Sequence, residues 1–116
     1  MPLTFDQAQL MERIDGDVEF LGECIEIFDE DATPLFENIR EAVAARDAAA
    51  LVSQAHTLKG MLSNFCAAAA ERAAKDLEMR GRENRLQDCD AAVTTLDDEL
   101  RRLRADLQTF LEAQQS

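Results

Sequence analysis

Apolar residues recur along the chain in steps of three and four, the spacing that gathers side chains on one face of an α-helix. Leu21, Ile25, Phe28, Ala32, Leu35, Ile39 and Ala42 form one such seam, and Leu51, Ala55, Leu58, Leu62 and Phe65 a second. The longest runs through Leu86, Cys89, Val93, Leu96, Leu100, Leu103, Leu107 and Phe110. A shorter stripe of Phe5, Leu10 and Ile14 precedes them, and the stretch from Cys66 to Arg80 is alanine-rich, hence intrinsically helical.

Polar punctuation separates these segments. Thr4 with Gln7 three residues on has the form of a capping box, and Gly16 closes the helix it would open. Asp17 and Asp47 can cap the next two helices, Gly81 can stop the alanine-rich one, and Asn84 with Gln87 can cap the last. The pattern therefore predicts helices over residues 5–15, 17–45, 48–65, 68–80 and 84–113, with a turn near Cys66. Pro34 falls inside the second; because the seam keeps register across it, a kink near residues 31–33 is expected rather than a break.

Helices with one apolar stripe each, joined by short links, bury those stripes most simply as an antiparallel up-and-down four-helix bundle with a short extra N-terminal helix. The whole chain, residues 1–116, reads as one all-α domain. An elongated coiled coil uses the same spacing, but the breaks at Gly16, Asp47 and Gly81 count against it. Composition agrees with helix: tryptophan and tyrosine are absent, and the β-branched residues are scattered rather than alternating. With 24 acidic and 12 basic residues the formal charge is −12, which repels nucleic acid and anionic lipid alike. Cys24, Cys66 and Cys89 are an odd number without ligand spacing, fitting reduced thiols in a cytoplasmic protein. The first residues show neither a basic n-region nor an apolar run, so no signal peptide or membrane insertion is expected.

Candidate chemistry centres on the one histidine. At about 100° per residue, His56 lies roughly 140° from the centre of its helix seam, Lys59 roughly 80°, Ser63 roughly 120° and Gly60 roughly 180°. All four share an outward patch. A glycine inside a helix costs about 0.5–1 kcal/mol relative to alanine, and no core contact demands one on the outer face, so something should approach closely at Gly60. A neutral imidazole, with its ordinary pKa of about 6.5, is a competent nucleophile at physiological pH, and the Lys59 ammonium could neutralise a phosphoryl group on it. A zinc site would need three or four ligands, and no carboxylate cluster is spaced around His56 to supply them. A Ser/His/Asp hydrolase would need an oxyanion hole and a nucleophile elbow, neither of which is visible. The remaining acidic residues read as solvated helix faces, and none is assigned as a general base.

The string Ala55-His56-Thr57-Leu58-Lys59-Gly60 closely resembles the His-x-x-Lys-Gly signature of the histidine-phosphotransfer (HPt) domains of bacterial phosphorelays. Phe28 with Asp31 and Pro34, then Leu35, Ile39 and Ala42 leading to Asp47, look like that family's long helix before the histidine helix. The resemblance covers nearly the whole chain. It implies that His56 is phosphorylated on its outer ring nitrogen, that Lys59 stabilises the phosphoryl group and that Gly60 gives access to a receiver domain. It also implies a phosphocarrier rather than an independent enzyme, without a metal or cofactor of its own, the Mg²⁺ and catalytic aspartates belonging to the receiver. The implied partners are a sensor histidine kinase with a hybrid receiver module and the receiver domain of a response regulator, met by a monomer.

Two positions depart from the family pattern. Met61 and Leu62 stand where small residues commonly follow the glycine, and Cys66 replaces the glycine usual at the turn after the histidine helix. Leu62 is expected in the core, Met61 either there or on a docking surface, and Ser63 either bonded to the lysine or the phosphoryl group or an ordinary exposed serine. The alternative function is a helical-bundle interaction module that binds a receiver or partner helix without phosphoryl transfer. The coexistence of histidine, lysine and glycine at this spacing favours transfer.

Overall fold

The punctuation by aspartates and left-handed turns sets where each helix begins and ends. In the computed structural model, which describes residues 3–116, these are α1 (Gln7–Arg13), α2 (Val18–Ala44), α3 (Ala48–Asn64), α4 (Ala68–Arg82) and α5 (Asp90–Gln115). Asp17 and Asp47 cap α2 and α3, their carboxylates accepting from the amides of Phe20 and Ala50 at 3.0 Å. Such caps satisfy amides that have no partner within the helix. Helices α2 to α5 pack in a ring, each against two neighbours, and the short links reverse the chain between successive helices to give an up-and-down bundle.

The seams meet in one core. Leu21, Ala32, Ile39, Leu51, Leu58, Leu62, Leu96 and Leu103 are fully inaccessible, and the rings of Phe28 and Phe65 tilt against each other at 5.0 Å. Helix α1 closes one end. Its Leu10 and Ile14 are buried, the preceding Phe5 meets Phe110 edge-on at 5.4 Å, and the Asp6 amide donates to the Cys66 carbonyl at 2.9 Å.

Several boundaries differ from those the sequence pattern predicts. Thr4 is not the cap of α1: Asp6 is, accepting from Gln9 N at 3.0 Å, because the Thr4 hydroxyl and amide are both committed to Asp106 on α5, at 2.8 and 2.9 Å. Along α2 it is Phe36 that joins the buried seam, with Leu35 half-buried at its edge, and the helix runs through Pro34 without a break. Asn84 does not open α5 but closes α4. It holds a left-handed conformation, φ +56°, which asparagine tolerates better than most residues, while its amide donates to the Gly81 carbonyl. The next residues form a loop pinned by buried Leu86 and Cys89, and α5 starts only at Asp90.

Cys66 makes the turn expected of a glycine. Its φ is +57°, and the Ala67 amide reaches back to the Leu62 carbonyl at 3.2 Å. A side chain in this conformation costs about 1–2 kcal/mol, which the bonds at both faces of the turn offset.

Gly81 likewise has a different role from a helix stop, lying buried inside α4. A Cβ there would sit 2.8 Å from Val52 Cγ2 and 3.2 Å from the Ala48 carbonyl oxygen, so the missing side chain lets α4 press against α3. Around Gly60 there is nothing within 4 Å of the corresponding position. Thermal melts should separate the two glycines: Gly81→Ala should destabilise by about 1–3 kcal/mol through overpacking, whereas Gly60→Ala should stabilise by about 0.5–1 kcal/mol through helix propensity. Equal shifts of the same sign would contradict the close α3–α4 approach.

Candidate functional site: a shared buried carboxylate

Because Leu51, Ala55, Leu58 and Leu62 all turn inward, the next position along from Ala55 must face out, and the His56 side chain is 63% exposed. One turn on, Lys59 is only 26% exposed, its stem lying along the bundle and its ammonium reaching toward α4. Both residues converge on Glu78, which is 3% exposed. Glu78 Oε2 lies 3.1 Å from His56 Nδ1 and accepts from Arg82 Nη2 at 2.7 Å and Arg82 Nε at 3.2 Å. Glu78 Oε1 forms an ion pair with Lys59 Nζ at 2.7 Å, off the line of a well-directed hydrogen bond, and takes no other donor.

Burial alone would push the Glu78 carboxyl up, since low dielectric penalises charge. The close Lys59 ammonium, with hydrogen bonds from Arg82 and His56, outweighs that penalty and brings it down from 4.5 to about 2. Glu78 is therefore an anion at any physiological pH and can only accept. It follows that Nδ1 carries the hydrogen when the ring is neutral, which leaves the lone pair of Nε2 free on the solvent side. As an electrophile bonds to Nε2, positive charge develops on the ring, and the carboxylate against Nδ1–H stabilises it. With one carboxylate set against Lys59 and Arg82, the cluster carries a net charge of about +1 around a neutral imidazole, inside a chain of net −12. That local excess suits an incoming phosphoryl dianion.

The other outward residues stand apart from this cluster. Gly60 is exposed. Ser63 is half-buried, its carbonyl accepting from Arg13 Nη1 at 3.3 Å, and among the described residues its hydroxyl bonds neither Lys59 nor Glu78. Met61 is partly buried and lines a groove between α1, α2 and α3. Among the described residues no group of three or more His, Cys, Asp or Glu side chains is placed to hold a metal ion.

Glu78 and Arg82 are the site residues that sequence reasoning passed over. A signal was available: Ala70, Ala74, Leu77 and Gly81 mark the buried face of α4, and Glu78, one turn beyond Ala74, falls on it. A carboxylate on a buried face, with an arginine four residues on, needs cations to hold it.

The bundle thus exposes one imidazole and backs it with a carboxylate and two cations. Residues 23–106, more than half of the chain, match the family model of the Hpt domain, and the chain belongs to that family. Its fold is similar to that of histidine-containing phosphotransfer protein B (HptB) from Pseudomonas aeruginosa PAO1, with a TM-score of 0.87 and 24% identity over 94% of this chain and 95% of the other. It is also similar to the HPT domain of a sensor hybrid histidine kinase from Shewanella, with a TM-score of 0.78 and 18% identity over 95% of each chain. No curated protein matches the chain significantly. Hpt domains are phosphocarriers, and among the described residues no helix is long and apolar enough to cross a membrane.

The pairing at Glu78 has a consequence for acid stability. A carboxyl whose folded pKa lies below its unfolded value contributes stability fully above about pH 4.5 and loses it as pH falls through about 2. Glu78→Gln should therefore lower the melting temperature at neutral pH, and the gap to wild type should shrink steadily as pH falls from 4.5 toward 2. The shift corresponds to stability on the order of 3 kcal/mol. A gap that is absent at neutral pH, or that does not change with pH, would contradict the charged state assigned to Glu78.

Proposed function

We propose that His56 is the phosphoacceptor and that the chain carries a phosphoryl group between the receiver aspartate of a hybrid sensor kinase and that of a response regulator. The observation that carries this reading is the contact between His56 Nδ1 and the buried Glu78 carboxylate, which orients Nε2 outward as the nucleophile. In the forward step Nε2 attacks the phosphorus of an aspartyl phosphate, the N–P bond forms, the O–P bond breaks, and the receiver's carboxylate departs. The Nδ1 proton stays on the imidazolium against Glu78. Return of the phosphoryl group to a second aspartate reverses each of these changes, so the chain ends as it began.

Lys59 and Arg82 supply the compensating charge. Lys59 is within reach of solvent, and moving its ammonium from Glu78 Oε1 to a phosphoryl oxygen would leave Glu78 still held by Arg82 and by the ring. Transfer then depends on positioning and electrostatics rather than on covalent help from this chain, with Mg²⁺ expected on the partner receiver. Gly60, with open space around it, gives the receiver access beside the ring; Ser63, on the His56 side of α3, and Met61, on the side facing α1 and α2, are assigned to docking.

Incubation with a phosphorylated receiver domain, read by intact mass, should give an acid-labile adduct of one phosphoryl group on wild type and none on His56→Gln. Lys59→Ala should retain the fold and slow transfer by about tenfold or more, the loss of one charge-assisted contact in the transition state. An adduct that survives in His56→Gln would contradict the assignment. Binding without an adduct across receivers would favour the interaction-module reading.

A further inference from the structure

We propose that Gly81 of α4 and Val52 of α3, away from the ring itself, form a spacer that sets the contact between His56 and Glu78 and so fixes which ring nitrogen is the nucleophile. The effect on the ring stands by itself; that a transfer rate depends on it rests on the relay reading.

Antiparallel α3 and α4 meet in successive rungs. Gly81 lies against Val52 and Ala48. Four residues along α3 from Val52 is His56, and three back along α4 from Gly81 is Glu78, so the next rung, about 5 Å further on, is the imidazole against the carboxylate. The end of α4 is held against peeling away by itself. Arg80 donates to Asp76 Oδ2 at 3.1 Å and to the Asp88 carbonyl at 3.0 Å, and the loop beyond is pinned by buried Leu86 and Cys89.

Little else grips the ring. The His56 side chain is 63% exposed, and among the described residues its one hydrogen bond is the 3.1 Å contact with Glu78 Oε2. That contact has about half an ångström to give before it ceases to be a hydrogen bond. A methyl group on residue 81 asks for more. Its carbon would stand 2.8 Å from Val52 Cγ2, about 1 Å inside an ordinary carbon contact, and 3.2 and 3.3 Å from the Ala48 carbonyl oxygen and the Val52 nitrogen. Valine in a helix has one strongly preferred rotamer, and the other two atoms are backbone, so the strain is relieved by parting the helices.

Parting them does not act alike on the three partners of Glu78. His56 and Lys59 reach it across the interface, whereas Arg82 holds it from within α4, four residues on. A wider gap therefore removes the contacts with α3 and leaves the carboxylate paired with Arg82. Nδ1 then lacks its acceptor, the fraction of rings with a bare Nε2 falls, and the charge that develops on the ring during attack loses its counterion. Gly81 is thus a positioning residue for His56, acting through the backbone of α3.

The test compares wild type, Gly81→Ala, the double variant Val52→Ala, Gly81→Ala, and Phe5→Ala. Each is read by long-range proton–nitrogen NMR of His56 at alkaline pH, by calorimetric binding of a receiver domain and by the rate of transfer from the phosphorylated receiver. Phe5→Ala controls for general loosening, because it truncates the Phe5–Phe110 pair at the α1 end of the bundle, next to Cys66, whereas Gly81 lies at the far end of α4. Gly81→Ala should lose the Nδ1–H preference and transfer about tenfold more slowly, with receiver affinity within about twofold of wild type, as the loss of one charge-assisted hydrogen bond predicts. The double variant, with Cγ2 gone, should regain the preference and most of the rate. Phe5→Ala should melt lower and keep both. Should Gly81→Ala melt too low for assignment, the same change in a Gly60→Ala background, with its added helix propensity, reports the tautomer. No Nδ1–H preference in wild type, its retention in Gly81→Ala, its loss in Phe5→Ala, or no recovery in the double variant would overturn the proposal. Absence of an adduct on wild type would remove the relay reading alone, since the tautomers decide this proposal without it.

Discussion

A carboxylate that burial would neutralise is kept ionised in this bundle by three donors, and the rest of the site depends on it. Lys59, Arg82 and His56 together offset the burial of the Glu78 charge, and Glu78 in turn is the shared partner on which His56 and Lys59 converge. The arrangement needs α3 and α4 closer than side chains normally allow, and Gly81 provides that approach three residues from Glu78. Packing and chemistry are coupled here: the glycine that looks like a helix stop sets the distance across which the imidazole meets its acceptor.

The bundle also separates two electrostatic tasks. A small cationic excess surrounds the imidazole, whereas residues 17–31, at the start of α2, hold seven carboxylates and no lysine or arginine. A net charge of −12 averages over these and describes neither. Because exposed charges act over about 8–10 Å at ordinary ionic strength, a partner of domain size meets both fields at once. In the relay reading the first compensates the group being transferred.

Much of the fold is legible in the sequence because the apolar spacing of α2, α3 and α5 is regular and the capping aspartates are unambiguous. His56 is likewise placed outward by geometry alone, one step from a seam that is fully buried. Helix ends are less legible where long-range contacts compete with local ones. Thr4 leaves its capping position for Asp106, 102 residues away, and Asn84 serves the helix behind it rather than the one ahead. Phe36 replaces Leu35 in the core because the seam of α2 drifts around the helix over its length. Glu78 is hidden for a related reason: its charge suggests solvent, and only its register with Ala74 and Leu77 reveals that it points inward.

Glu78 fixes the hydrogen of His56 on Nδ1 and leaves Nε2 bare. Long-range proton–nitrogen NMR of the His56 ring, recorded at alkaline pH with the ring neutral, measures this directly. Wild type should show a pyrrole-like Nδ1 and a pyridine-like Nε2, with that preference lost in Glu78→Ala. A wild-type ring with its hydrogen on Nε2, or a tautomer mixture unchanged by Glu78→Ala, would contradict it.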